Sequence, residues 1–308
     1  MSAPAATPRA PRYGMDHERY AWSMLADRPP IRWPDARPLA LWINLSVEHF
    51  PLDARGEGVK APGAMSMPYP DLRHYTLRDY GNRVGIFRVL DALRARGLAA
   101  SCAVSGELAE RYPALLDQLA EADLEWLGHG WNMDCVHSGA IDAPREQDWI
   151  ARSLDALRRF APNPISGWLS PARSQSARTP ELLKAAGIQW CADWVNDELP
   201  YSFATAHGAL TALPLSYELE DRFVIAENLH AESQWADQII DAADFLLAEA
   251  LAEKSGRLLS LSLTPWLIGQ PHRIKHLERV LDHLHGLGEQ LYCVQPSALL
   301  AHLQSTRS

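Results

Sequence analysis

The hydrophobic pattern of this chain breaks into short runs of two kinds. The segment Leu39-Ala-Leu-Trp-Ile-Asn-Leu-Ser-Val47 is almost continuously apolar and of strand length, as expected for a strand buried on both faces. It stops at Glu48-His49-Phe50. Residues 51–80 are broken by Pro and Gly and show no periodicity, which predicts a long loop of the kind that carries function. Beyond Tyr80, Ile86, Val89, Leu90 and Leu93 recur at helical spacing, Gly97 closes the helix, and 98–104 reads as a strand. The opening unit is therefore strand, loop, helix, strand.

The alternation continues along the chain. Helices are expected near 107–120, 145–160, 232–254 and 271–287, and strands at 124–128, 165–169, 188–194, 258–263 and 291–294. Thr179-Pro180-Glu181 reads as a helix cap, an early proline and an acidic first turn, with Gly187 closing that helix. Six or seven strands alternating with helices imply an α/β fold with a parallel sheet. No Gly-rich phosphate loop follows the first strand, which favours closure into a barrel over a doubly wound sheet. In such barrels chemistry gathers at the C-terminal ends of the strands, where Glu48, His129, Arg173, Asp193 and Thr264 fall.

Composition narrows the partners. The 308 residues carry a net charge of −9 with no run of Lys or Arg, so neither a nucleic-acid backbone nor an anionic membrane is an expected partner. A small neutral or cationic substrate fits that charge better. The first fourteen residues are rich in Ala and Pro and lack an apolar core, so they read as neither signal peptide nor anchor, and a cytoplasmic protein is expected. The cysteines, Cys102, Cys135, Cys191 and Cys293, are far apart and read as free thiols. Residues 1–37 are taken as a partly disordered extension and 38–308 as one domain. The 11 Trp outnumber both Tyr and Phe, which fits either an aromatic cleft or a well-filled core.

Several residues have the chemistry of a site. Glu48 is delivered to the barrel mouth by the first strand, as a metal ligand, a general base or a solvated acid. Gly128-His129-Gly130-Trp131-Asn132-Met133-Asp134 leaves another strand, with His137 three residues on; two or three ligands for a divalent metal lie in that run, unless His129 acts alone and His137 is a loop residue. Gly167-Trp168-Leu169-Ser170-Pro171-Ala172-Arg173 supplies a guanidinium that suits either orienting a carboxylate ligand or clamping a carbonyl-bearing substrate. Asp193-Trp194-Val195-Asn196-Asp197-Glu198 concentrates acids beside aromatics, either to tether Arg173 or simply to form a turn.

Taken together, Tyr80-Gly-Asn-Arg-Val-Gly-Ile-Phe-Arg88, Glu110-Arg-Tyr-Pro113, His129-Gly-Trp131, Gly167-Trp168, Asp197-Glu-Leu-Pro-Tyr201 and Ile268-Gly-Gln-Pro-His-Arg273 resemble the polysaccharide deacetylase (NodB-like) family. The likeness is to its allantoinase-like and cyclic-imide-hydrolase branch and runs from about residue 38 to the C-terminus. It implies a distorted (β/α) barrel of about seven parallel strands and hydrolysis of a non-peptide carbon–nitrogen bond in a small amide, ureide or imide. It also implies a homodimer or homotetramer. The family's deacetylases use an Asp-Asp pair after the first strand and His-x-x-x-His, with one Asp and both His on a divalent metal. Here Glu48 stands for the acid, His129 matches the first His and Met133 occupies the second, so Asp134 or His137 must substitute or the metal is absent. The family's Arg-x-Pro falls on Leu169-Ser170-Pro171, with Arg173 the nearest guanidinium. Its Leu-His-Pro, whose His is the general acid, falls on Leu263-Thr264-Pro265.

The reading that results assigns catalysis to Glu48, His129, Arg173, Asp193 and Asp197, with Asp193 orienting Arg173. Trp131, Trp168, Trp194, Tyr201 and Thr264 line the substrate pocket. The cofactor is either none or one divalent metal (Zn, Ni or Co) on Glu48, His129 and His137. The alternatives are an N-deacetylase of an acetylated sugar and a catalytically silent barrel that only binds.

Overall fold

The computed structural model describes residues 17–54 and 68–306. In chain order its main elements are β1 (Leu39–Val47), α1 (Leu72–Tyr80), a π-helical segment (Gly81–Gly85), α2 (Ile86–Arg94), β2 (Ala100–Val104), α3 (Leu108–Arg111), α4 (Pro113–Glu121), β3 (Leu124–Gly128) and α5 (Ala143–Leu157). There follow β4 (Gly167–Trp168), α6 (Thr179–Ala185), β5 (Trp190–Cys191), β6 (Tyr201–Thr205), β7 (Gly208–Ala212), a second π-helical segment (Arg222–Glu227), α7 (Glu232–Glu253), β8 (Arg257–Leu263), α8 (Pro265–Ile268), α9 (Ile274–Gly286), β9 (Leu291–Cys293) and α10 (Pro296–Ser305).

The strands form one sheet in the order β6-β7-β5-β4-β3-β2-β1-β8, with β9 also on β1. Every pairing is parallel except the β6–β7 hairpin. The backbone ladder is open between β7 and β8. Ser260 bridges that opening, donating from its hydroxyl to the Pro214 carbonyl (3.0 Å) and accepting from the Ser216 amide (2.9 Å). The result is the distorted α/β barrel expected from the alternation.

Alternation along the strands sorts side chains between two cores. On β1, Leu39, Leu41, Ile43, Leu45 and Val47 belong to the outer core shared with the helices. Ala40 and Trp42 belong to an inner core with Ala103, Leu127, Leu169, Trp190, Ala192 and Leu258. Even-numbered β1 residues therefore face the lumen, and the sequence continues in phase through buried Asn44 and Ser46 to Glu48. On β3 the lumen parity is odd, running from Leu127 to His129; on β8 it is even, running from Leu258 to Thr264. Register then sets the height. Val47 pairs with Val104 and Val104 with Gly128, so Glu48 and His129 each stand one residue past the same rung.

Several expectations are corrected. The segment 51–80 is not loop throughout: 55–67 lie outside the described residues, but α1 begins at Leu72, capped by the Asp71 carboxylate on the Arg73 and His74 amides. The helix expected at 107–120 is split into α3 and α4, because Pro113 has no amide proton to continue the ladder. The first residue of α6 is Thr179 rather than its cap; that hydroxyl donates to Glu146 at 2.5 Å. The β6–β7 hairpin and α10 carry no clear period in the sequence and were not anticipated. The N-terminal extension reaches into the barrel. Trp33 is 2% exposed in the inner core, where its indole donates to the Arg257 carbonyl and closes the bottom of the barrel.

Candidate active site

Glu48 and His129 meet inside the mouth of the barrel. Glu48 Oε1 lies 3.6 Å from His129 Nε2, and the two side chains are 2% and 3% exposed. The odd parity of His49 turns it the other way, toward Glu107 at 3.7 Å. His129 Nδ1 lies 2.6 Å from the Leu169 carbonyl oxygen. A carbonyl can only accept, so Nδ1 carries a proton, and Nε2 faces Glu48 with no hydrogen-bond partner.

Glu48 is held ionised by what surrounds it. Arg222 Nη1 donates to Oε1 at 3.1 Å and the Trp266 indole to Oε2 at 3.1 Å. Burial pushes this carboxyl up, but Arg222, His129 and Trp266 outweigh it and bring it down to about 2. Arg222 bonds Glu220 through its other terminal nitrogen at 3.2 Å, and Glu220 in turn holds Arg173 at 3.3 Å. Beside this chain of charges, Asp221 accepts the amides of Arg222 and Thr264, and burial raises its carboxyl to about 8.

The π-helical segment after α1 fixes the wall that carries Trp266. Asn82 donates to the Glu48 carbonyl at 2.9 Å. A methyl on Gly81 would stand 2.7 Å from the Trp266 amide, and one on Gly85 would overlap the Pro265 carbonyl. The two glycines of the Tyr80–Arg88 motif thus let two backbones touch, locking Trp266 against the strand end that bears Glu48.

The other anticipated residues are distributed more widely. Arg173 is near the mouth, but its donors are taken by the Ala192 and Ser216 carbonyls and Glu220. Asp193 does not bond Arg173; it accepts from the Ser170 amide and hydroxyl (both 2.7 Å) and from Gln175 (2.5 Å), with its carboxyl raised by burial. Asp197 is paired with Arg28 of the N-terminal extension at 2.6 Å and caps its own turn through the Glu198 and Leu199 amides. Asp197 and Tyr201 line an 850 Å³ groove with Tyr20, Trp22, Arg28 and Arg32. Trp194 stacks on Phe203 at 4.7 Å, and Trp168 is fully buried in the outer core. Trp131 is 5% exposed under Arg152, whose guanidinium carbon is 3.6 Å from the ring centre.

His137 is likewise engaged elsewhere, fully buried with Nδ1 3.4 Å from Glu146, between Trp149 and Trp168. Glu48, His129 and His137 are not brought together, and among the described residues no group of three His, Cys, Asp or Glu side chains could hold a metal ion. The charge partner of Glu48 is instead the Arg222 guanidinium, at 3.1 Å. The residues present do not fit the metal centre that the family resemblance implied.

The sequence reading missed Arg222, Glu220 and Asp221. The available signal was the charged run Glu218-Leu-Glu-Asp-Arg222, but nothing in the sequence ties it to β1 or β8.

Thr264 is in the lumen but fully buried, at the N-cap of α8, with its hydroxyl lacking a hydrogen-bond partner. An imidazole there would overfill a closed site. Thr264→His is expected to lower the melting temperature, at a cost of about 1–3 kcal/mol, without raising turnover. A thermal melt and an assay of the same preparation check both.

Residues 75–191 match the family model described as polysaccharide deacetylase. A Schizosaccharomyces pombe protein of polysaccharide deacetylase designation is 23% identical over 241 residues, covering 72% of this chain and 74% of that protein. Two solved structures superpose over nearly the whole length. One is a Pseudomonas aeruginosa PAO1 protein of the same designation (TM-score 0.79, 21% identity, covering 90% of this chain and 95% of that one). The other is the Puue allantoinase (TM-score 0.80, 21% identity, covering 91% of this chain and 95% of that one). Over residues 75–191 this chain is therefore similar to the polysaccharide deacetylases, and its barrel has the same fold as an allantoinase.

Proposed function

We propose that the chain is a hydrolase of a non-peptide carbon–nitrogen bond in a small amide, ureide or imide, working through its own side chains. The observation that carries this reading is the buried Glu48–His129 pair, with Nδ1 of the histidine directed to Leu169 and Nε2 turned into the mouth. In the mechanism, His129 Nε2 takes a proton from the attacking water. The imidazolium that forms is stabilised on one side by Glu48 and on the other by the Leu169 carbonyl, and it then returns the proton to the departing nitrogen. Glu48, held ionised by Arg222 and Trp266, is a poor base itself and serves as the counter-charge. Arg222 is the guanidinium nearest the pair, and its side chain is 21% exposed, so it can reach the developing oxyanion. This assigns to Arg222 the role that the sequence suggested for Arg173.

The test is an assay of ammonia or amine release from a panel of ureides, cyclic imides and acetamides, with chelator-treated wild type and His129→Ala in parallel. Release that persists after chelation and disappears in the variant is the expected result. Release from none of them would sink the reading and favour a barrel that only binds. Acetate release confined to acetylated sugars would favour the N-deacetylase.

A further inference from the structure

We infer that Arg78 is an anion-binding subsite, receiving a carboxylate that the substrate carries beside its scissile carbon–nitrogen bond. This deepens the hydrolase reading above and rests on it for the position of the bond. Arg78 lies in the last turn of α1, with its guanidinium carbon 3.8 Å from the Trp266 ring centre and 5.2 Å from that of Phe50. Trp266 is the residue whose indole holds Glu48, so Arg78 rests on the wall of the Glu48–His129 pair.

The other guanidiniums here are neutralised: Arg222 by Glu48 and Glu220, and Arg173 by Glu220. Arg78 forms no ion pair among the described residues, and its Nε is buried without an acceptor. Glu48 adds its charge at a distance but makes no hydrogen bond or ion pair with Arg78; its oxygens accept from Arg222 and Trp266. Stacking on an aromatic face uses the plane of a guanidinium and leaves the donors along its edge free, in the fork that suits a carboxylate. A desolvated cation with unused donors is costly unless a ligand completes it.

Charge in the mouth agrees. Three guanidiniums, those of Arg78, Arg173 and Arg222, face two carboxylates, those of Glu48 and Glu220, while burial keeps the nearby Asp221 protonated up to about pH 8. Although burial lowers the Arg78 guanidinium to about 10, it remains a cation at neutral pH. The whole chain, at −9, favours neutral or cationic ligands. The mouth has the opposite preference.

The test compares N-carbamoylglycine with its neutral glycinamide counterpart, using wild type, Arg78→Lys and Arg78→Gln. Wild type is expected to favour the acid in kcat/KM by at least roughly tenfold. Arg78→Lys should keep part of that preference and Arg78→Gln should lose it, with the change mainly in KM. Equal use of the two compounds by wild type, or a preference that survives in Arg78→Gln, overturns the proposal. If neither compound is hydrolysed, the hydrolase reading is what fails, and binding decides this one. Succinate and succinamide are then titrated against tryptophan fluorescence, which Trp266 reports. Succinate-selective binding lost in Arg78→Gln but partly retained in Arg78→Lys supports the subsite; no selectivity, or selectivity untouched by both variants, rejects it.

Discussion

His129→Ala is expected to lower turnover by roughly 10²- to 10⁴-fold, the usual worth of a positioned general acid–base group. The loss should appear in kcat, because the imidazole acts on the water and the departing nitrogen rather than on substrate affinity. Glu48→Gln probes the same step differently. It keeps the shape of the carboxylate and its contact with Trp266 but removes the charge facing the imidazolium across 3.6 Å. Its effect should again fall on kcat. The two losses should not add in the double variant, because both residues act on one proton transfer. Fully additive losses would mean that the residues act separately, contrary to the mechanism proposed above. Removing His129 also leaves the Leu169 carbonyl without its donor inside the barrel, so each variant needs a melting curve beside its rates.

Arg222→Met is expected to destabilise the fold by about 3 kcal/mol, the lower end of what breaking a buried ion pair costs. The lower end applies because Arg222 is 21% exposed while Glu48 is 2% exposed, so only the carboxylate is stranded fully out of water. Pairing the change with Glu48→Gln removes the stranded charge, and the double variant should recover much of the loss. A double variant as unstable as the sum of the singles would show that Arg222 supports the fold through its contact with Glu220 instead. The pH dependence has a definite sign. With the Glu48 carboxyl near 2 in the folded state against 4.5 ordinarily, the pair's contribution is complete above about pH 4.5 and fades as pH falls toward 2. Without Arg222, burial raises that carboxyl. The deficit of Arg222→Met should therefore be largest at neutral pH and shrink as Glu48 protonates in mild acid. Chemical denaturation at a series of pH values measures this directly.

What the sequence determined by itself was periodic or local. The apolar run of β1, the helical spacing of Ile86, Val89, Leu90 and Leu93, and the strand 124–128 are each set by burial acting along one segment, so the α/β barrel was legible. The ends of those runs put Glu48 and His129 at the barrel mouth, because one residue past an apolar strand is a local fact; which parity faces the lumen was not legible in strands buried on both faces. Partnership was not legible. Whether Glu48 meets a metal, a solvent molecule or a guanidinium depends on Arg222, which arrives from 174 residues away through a π-helical segment with no period of its own. Asp193 and Asp197 looked alike in the sequence; the structure holds one on Ser170 and Gln175 and the other on Arg28. His137, nine residues from the acid of α5, was drawn to Glu146 rather than to the mouth. Ion pairs and hydrogen bonds need contact in space and do not depend on sequence spacing, so only the folded barrel decided which of these groups meet.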